Sequence, residues 1–358
     1  MLLILKQVCQ IISRHLSLGR KIRPGRHLEL LLNKIDPRFR PAEYSRIKLA
    51  GLHNNTLAVY LHAFHDRAGR NREIVEKNNR RAWKQSGFFP EVYFYKNISP
   101  PRGGAVQAPQ CYSLERGSLS YRLFIEKIVG RRVDLDHNFE AVLEAIDSLQ
   151  AEAPAADRLT GEARALLYFK QPLSQRFRGD YSQYLQSLRV GGQISADMAA
   201  SFESGLSALA ETCAAFKAVL NHLDLLPGNL LINDGRVVFI DWEKYYYAPA
   251  GFSQGNWLYS IFRKKENQLN QYLARWRQWL ETSYICREER EERILAGLFC
   301  YFCFVLEFLA RQNKKIFRDK DQKRRQDSGE KLWKQLALLT QAELIQAPQV
   351  LLNRLIEL

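Results

Sequence analysis

Asp224 and Asn229 stand five residues apart in NHLDLLPGNLLINDGRVVFIDWE, and Asp241 follows twelve residues after Asn229, at the end of the apolar run VVFID. These three side chains are the set that phosphoryl transfer needs. One carboxylate orients an attacking hydroxyl and takes its proton, while an amide oxygen and a second carboxylate hold Mg2+ against phosphates. Asp224 is the candidate base, and Asn229 and Asp241 are the candidate metal ligands. Asn233-Asp234-Gly235 separates the apolar runs 230–232 and 237–240, a strong hairpin signal. Such a hairpin turns the second strand back so that Asp241 meets Asn229. His222 lies two residues before Asp224, but a carboxylate accepts a proton at neutral pH without first losing one, so Asp224 is the better base.

A chain of 358 residues has room for two lobes, and its pattern changes along its length. Residues 2–17 set Leu2, Leu5, Val8, Cys9, Ile12 and Leu16 at helical spacing, an amphipathic helix followed by a basic segment. Residues 42–50 and 56–64 read as strands around the turn GLHNN, and 71–85 as a charged helix. Residues 91–95 read as a short strand, and 110–114 with 121–127 as a strand pair. From Val133 onward the pattern is helical, at 138–151, 160–168, 181–189 and 195–220, interrupted by the hairpin. The expected organisation is an N-terminal helix and basic segment at 1–40, a strand-rich lobe at 41–128 and a helical lobe at 129–358. A hinge near 126–130 and a cleft between the lobes complete that expectation.

The motif residues resemble the aminoglycoside phosphotransferase and choline kinase family. Its catalytic loop reads H-x-D-x-x-x-x-N and its following strand ends in I-D-[FW]-E. Here His222, Asp224 and Asn229 are followed by Ile240-Asp241-Trp242-Glu243. KYYYAPAG and then Phe252-Ser253-Gln254-Gly255-Asn256 stand where that family has a tyrosine-rich segment and F-D-I-[GA]-N. Upstream, FIEKIVGRRV looks like its hinge, and REIVEKNNRRAWKQSGFFPEVYFY like its N-lobe helix followed by a Pro-bearing strand. The resemblance implies an α+β, two-lobed protein-kinase-like fold and an ATP- and Mg2+-dependent phosphotransferase. It implies Asp224 as catalytic residue, Asn229 and Asp241 as Mg2+ ligands, and a structural His222.

On the same resemblance Gly51, Asn54 and Asn55 would present backbone to phosphates, Glu73 would be the helix glutamate and Glu126 the hinge contact, with Glu76 an alternative to Glu73. Two departures stand out. The strand TLAVYLHAF carries no lysine where a phosphate-binding one is expected, leaving Tyr60 or His62 at that register and Lys48, Arg70 or Arg72 as substitutes. Ser253 stands where the family has an aspartate that supports the catalytic loop, a loss that would either loosen the loop or be covered by a hydroxyl hydrogen bond.

Charge narrows the partners. Residues 1–132 carry 25 basic and 9 acidic side chains, and the remainder 28 and 29, within a total of +15. The first third therefore favours an anion such as nucleotide phosphate or acidic lipid. No nucleic-acid motif accompanies the charge, so no nucleic acid partner is expected. The apolar run 297–310 is too short for a membrane span and contains Glu307. The N-terminus lacks the basic start and cleavage site of a secretory signal, and six scattered cysteines read as reduced core residues. A cytoplasmic setting is expected, and the amphipathic start either packs on the protein or, with the basic segment after it, makes peripheral contact with anionic membrane.

The resemblance implies as acceptor a hydroxyl of a small molecule: a choline- or ethanolamine-like amino alcohol, an aminoglycoside, or a sugar or glycolipid. Tyr245, Tyr246, Tyr247, Trp257, Tyr259, Trp276, Trp279, Tyr284, Tyr301 and Phe302, with Glu243, Glu281 or Glu307, are the material for an aromatic cage, or else core. The rival reading is a catalytically inactive kinase fold that serves as a membrane-associated binding or scaffold module.

Overall fold

The structure is a computed structural model and describes residues 29–30, 32, 44–50, 56–65, 71–80, 90–98, 108–116, 120–167, 178–192, 194–265 and 268–318. The helix expected at 2–17, the turn at 51–55 and Arg70 lie outside them. The chain divides into two compact units, one of residues 1–99 and 107–131, the other of 100–106 and 132–358.

The first unit is built on an antiparallel sheet of five strands: β1 (Ser45–Ala50), β2 (Thr56–His65), β3 (Asn71–Arg80), β4 (Cys111–Arg116) and β5 (Ser120–Glu126), in the order β1-β2-β3-β5-β4. The charged segment read as a helix is thus the central strand β3. Its Ile74 and Val75 are β-branched and its Asn78-Asn79 pair forms helix poorly, while β2 and β5 satisfy its backbone from both sides. Alternation puts Ile74 and Glu76 on one face and Val75, Lys77 and Asn79 on the other. On the first face Leu32, Tyr44, Phe64, Ile74 and Phe124 form a buried cluster.

The expected strand at 91–95 is also overturned. Pro90–Tyr93 is a short helix, α1, continued by a wider turn over Phe94–Ile98. Proline suits a first helical position because its missing N–H has no intrahelical partner there anyway.

The second unit carries α2 (Phe139–Glu152), a 3-10 turn at Gly161–Leu166 in place of the expected helix, α3 (Arg178–Val190) and α4 (Ala196–Ala214). The helix expected to run to 220 stops at Ala214, and Ala218–His222 is a strand, β6. The hairpin appears as expected, as β7 (Leu230–Asn233) and β8 (Arg236–Phe239). Its turn has φ 48° at Asp234 and 76° at Gly235, the two positive values a two-residue turn of this kind requires.

β9 (Tyr245–Pro249) pairs antiparallel with β6, and α5 (Phe252–Lys265), α6 (Leu269–Thr282) and α7 (Arg287–Arg318) follow. A Cβ on Gly255 would sit 2.0 Å from the Gly297 carbonyl oxygen, so α5 approaches α7 this closely because residue 255 is glycine.

By length and composition α7 is able to cross a membrane, but most of that stretch is buried inside the protein, as in a core helix. Cys213, Cys300 and Cys303 are buried as expected, whereas Cys286 is exposed and Cys111 half-buried. Cys9 lies outside the described residues.

Candidate active site

Asp224 sits on the loop between β6 and β7, and the fold ties both candidate ligands to it. The Asn229 side-chain Nδ2 donates to the Asp224 carbonyl at 2.9 Å, and the Asn229 backbone N–H donates to Leu226 at 2.7 Å. The Ile240 N–H then donates to the Asn229 carbonyl at 3.0 Å, extending the hairpin by one rung. That rung pairs Asn229 with the residue before Asp241.

With its nitrogen committed, the Asn229 amide offers its oxygen as the end a cation would meet. Asp241 has φ 65°, a left-handed conformation that costs about 1 kcal/mol or more for a non-glycine residue. Mg2+ takes one or two protein oxygen ligands and completes its shell with phosphates and water, so this donor pair fits it.

His222 is fully buried and bridges the loop to the hairpin. Its Nδ1 accepts the Asp224 N–H at 3.2 Å, so the proton is on Nε2, which donates to the Ile240 carbonyl at 3.2 Å. Burial pushes the imidazole below its ordinary pKa, against the opposing pull of the Asp224 and Asp241 charges. A neutral ring with both nitrogens engaged is a brace rather than a base. Trp242 packs edge-on against it at 4.7 Å between ring centroids.

The departure at Ser253 is covered. Its hydroxyl accepts the His222 backbone N–H at 2.9 Å and donates to Asn221 Oδ1 at 3.1 Å. Asn221 is buried; its oxygen also accepts from Ser253 N and Gln150, and its nitrogen donates to Val219 and Ala248. An aspartate at 253 would set a carboxylate against Asn221 Oδ1, whereas a serine donates to it, so the two residues form one working pair.

One helical turn on, Asn256 Oδ1 accepts the Leu225 N–H at 2.7 Å and the Ser260 hydroxyl donates to the Leu225 carbonyl at 2.6 Å. Ser253→Ala should orphan a buried N–H and lower stability by about 1–3 kcal/mol. Urea unfolding measures it, and an unchanged midpoint would show that this bond carries nothing.

The first unit holds a lysine–glutamate pair that the sequence analysis does not single out. Lys77, on the central strand β3, is buried, and its Nζ lies 3.0 Å from Glu91 Oε1 on α1. Glu91 Oε2 also accepts from Asn79 at 3.2 Å and Tyr121 at 3.1 Å. A strand lysine held by a helix glutamate is the pair that protein-kinase folds use at nucleotide phosphates. This pair lies one strand later than the register where the lysine is expected, on the segment read as a helix. Two signals point the right way: β-branched residues beside Lys77, and Pro90 ahead of Glu91 as a helix start.

Glu73 is therefore not a helix glutamate. It lies on β3 and pairs with Lys127. Its alternative, Glu76, is buried among Tyr44, His62 and Arg46; the His62 hydrogen bond and the Arg46 charge hold its carboxyl below the ordinary range despite burial. Lys48 and Arg72 are exposed, and His62 is occupied with Tyr44 and Glu76. Glu126 ends β5, and its side chain accepts the Gln110 N–H at 3.2 Å. Gly51, Asn54 and Asn55 lie outside the described residues.

Among the aromatics considered for a cage, Tyr245, Tyr247, Trp257, Trp276, Tyr301 and Phe302 are core, and Tyr284 is exposed. Glu281 pairs with Arg277, and Glu307 with Arg311. Tyr246, Tyr259 and Trp279 are half-buried. Lys244, which the sequence reading did not single out, reaches Asp224 Oδ2 at 3.5 Å.

An antiparallel sheet unit bearing a lysine–glutamate pair and a helical unit bearing this loop and hairpin define a kinase-like α+β protein. Residues 60–292 match the phosphotransferase enzyme family, and the chain belongs to it.

Solved structures share the fold. The amicoumacin kinase hAmiN, in complex with AMP-PNP, Ca2+ and Ami, is 12% identical with a TM-score of 0.51, over 87% of this chain and 92% of its own. A choline kinase from Cryptosporidium parvum is 12% identical with a TM-score of 0.50, over 90% and 96%. No curated protein matches the chain.

Proposed function

We propose that the protein transfers the γ-phosphate of ATP to a hydroxyl of a small molecule with Mg2+. The observation that carries this reading is Asn229, bonded on one side to Asp224 and on the other to Ile240, so that a base and two oxygen donors share one rigid loop and hairpin.

Asp224 accepts the proton of the acceptor hydroxyl as the new O–P bond forms and the bond to the β-phosphate oxygen breaks, releasing ADP. Lys244, at 3.5 Å, steadies the carboxylate without neutralising it, because it is itself exposed. Asn229 and Asp241 are the residues that would hold Mg2+, which when bound neutralises charge on the phosphates. Lys77, fixed by Glu91, is the group for the nucleotide phosphates.

Both grounds for the inactive-scaffold reading weaken: Lys77 fills the lysine role, and Ser253 holds His222 through its hydroxyl. Lys77→Met should weaken ATP binding about 10- to 100-fold, the size of a lost charge-assisted hydrogen bond. Calorimetric titration of the folded variant checks it. Unchanged affinity would remove Lys77 from the site.

A further inference from the structure

Four residues of α5 share one face at spacings of three and four: Asn256, Tyr259, Ser260 and Arg263. Two of them, Asn256 and Ser260, grip the backbone of Leu225, the residue after Asp224. Tyr259 and Arg263 therefore lie on the face of α5 that holds the residue after the base.

The close approach of α5 to α7 at Gly255 and Gly297 brings a second set of side chains to this place. Tyr259 stacks on Phe304 at 5.3 Å and meets Phe308 edge-on at 6.4 Å. All three rings are only half-buried. The Arg263 guanidinium lies 5.8 Å from the Tyr259 ring centre and 5.7 Å from that of Phe308. The charges that act on the Tyr259 hydroxyl, whose pKa burial raises, include Arg263, Glu307, Arg311 and Asp224, an independent sign that they share one neighbourhood.

One cation of this wall is left without an acid among the described residues. Glu307, its acid, is already paired with Arg311. Arg263 is exposed and makes no ion pair among the described residues. Lys244, by contrast, is paired with Asp224. An anion would meet in Arg263 a guanidinium already oriented by two aromatic rings.

We infer that the acceptor is an anionic sugar, its ring lying against Tyr259 and Phe308 and its phosphate or carboxylate held by Arg263, so that its hydroxyl faces Asp224. This inference rests on the phosphotransferase reading and deepens it.

The test is equilibrium binding to the full chain, with the nucleotide site saturated by Mg2+ and AMP-PNP so that added anions cannot occupy it. The probes are glucose 6-phosphate, glucuronate, glucose and the amino sugar glucosamine. Wild type should bind the first two at least about tenfold more tightly than glucose or glucosamine, the scale of one charge-assisted hydrogen bond. Arg263→Glu should remove that advantage and make glucosamine the preferred ligand, a reversal that a merely structural role would not produce.

Neither anionic probe binding better than glucose would overturn the proposal. So would an Arg263→Glu protein that keeps the anion preference. Affinity for AMP-PNP, read in the same samples, separates the two claims: if the nucleotide binds and the anions do not, only the acceptor class is wrong; if the nucleotide fails to bind, the phosphotransferase reading itself has failed.

Discussion

Asp224→Asn is expected to lower phosphoryl transfer by about 10²-fold or more, the scale of a lost general base. The substitution keeps the side-chain volume and removes the charge. The Asp224 backbone, which receives Asn229 Nδ2 and donates to His222, is unchanged, so the loop should keep its shape. ATP affinity should hold, because Asn229 and Asp241 rather than Asp224 are the proposed metal donors. Water can replace the acceptor hydroxyl, so slow ATP hydrolysis is the assay before any acceptor is known. A wild-type rate no higher than that of the variant, in a protein that binds Mg2+ and ATP, would remove Asp224 from the base role in that assay.

Asp241 should matter at an earlier step. Asp241→Ala is expected to abolish Mg2+-dependent nucleotide binding, because it deletes the one anionic donor of the proposed pair. Alanine also tolerates φ 65° poorly, so part of its effect would be backbone strain. Asp241→Asn separates the two contributions. Asparagine accepts the left-handed conformation more readily than other non-glycine residues and still loses the charge. Both variants should lose the Mg2+ dependence, and the Asn variant should unfold nearer the wild-type urea midpoint. Equal nucleotide affinity in wild type and Asp241→Asn, with the same response to Mg2+, would show that the ligand lies elsewhere.

What the sequence disclosed and what it hid have separate physical reasons. The loop and hairpin were legible because their chemistry is local. Asn-Asp-Gly dictates a turn with two positive φ values, and the turn pairs residue 240 with residue 229. The strand lysine was not legible, because its role depends on non-local pairing. NREIVEKNNR is charged enough to pass for a helix, and only β2 and β5 on its two flanks make it a strand. Once it is a strand, Lys77 and Glu76 point to opposite faces, and Glu91 rather than Glu73 becomes the partner.

Ser253 was half legible. Its motif position was plain, but its compensation by Asn221 depends on β6 lying beside the start of α5, thirty-two residues on. The aromatic residues were least legible of all. Composition cannot separate the buried Trp257 and Tyr245 from the half-buried Tyr259, since only packing decides which ring stays in reach of solvent.

The central claim is that Asn229 and Asp241 prepare this chain to take up a nucleotide with Mg2+. Calorimetric titration of the full-length wild-type protein with ATP, in the presence and absence of Mg2+, tests it most directly. The account predicts saturable one-to-one binding that Mg2+ strengthens and that Asp241→Asn no longer lets Mg2+ strengthen. Absence of ATP binding by the folded wild-type protein under either condition would contradict it.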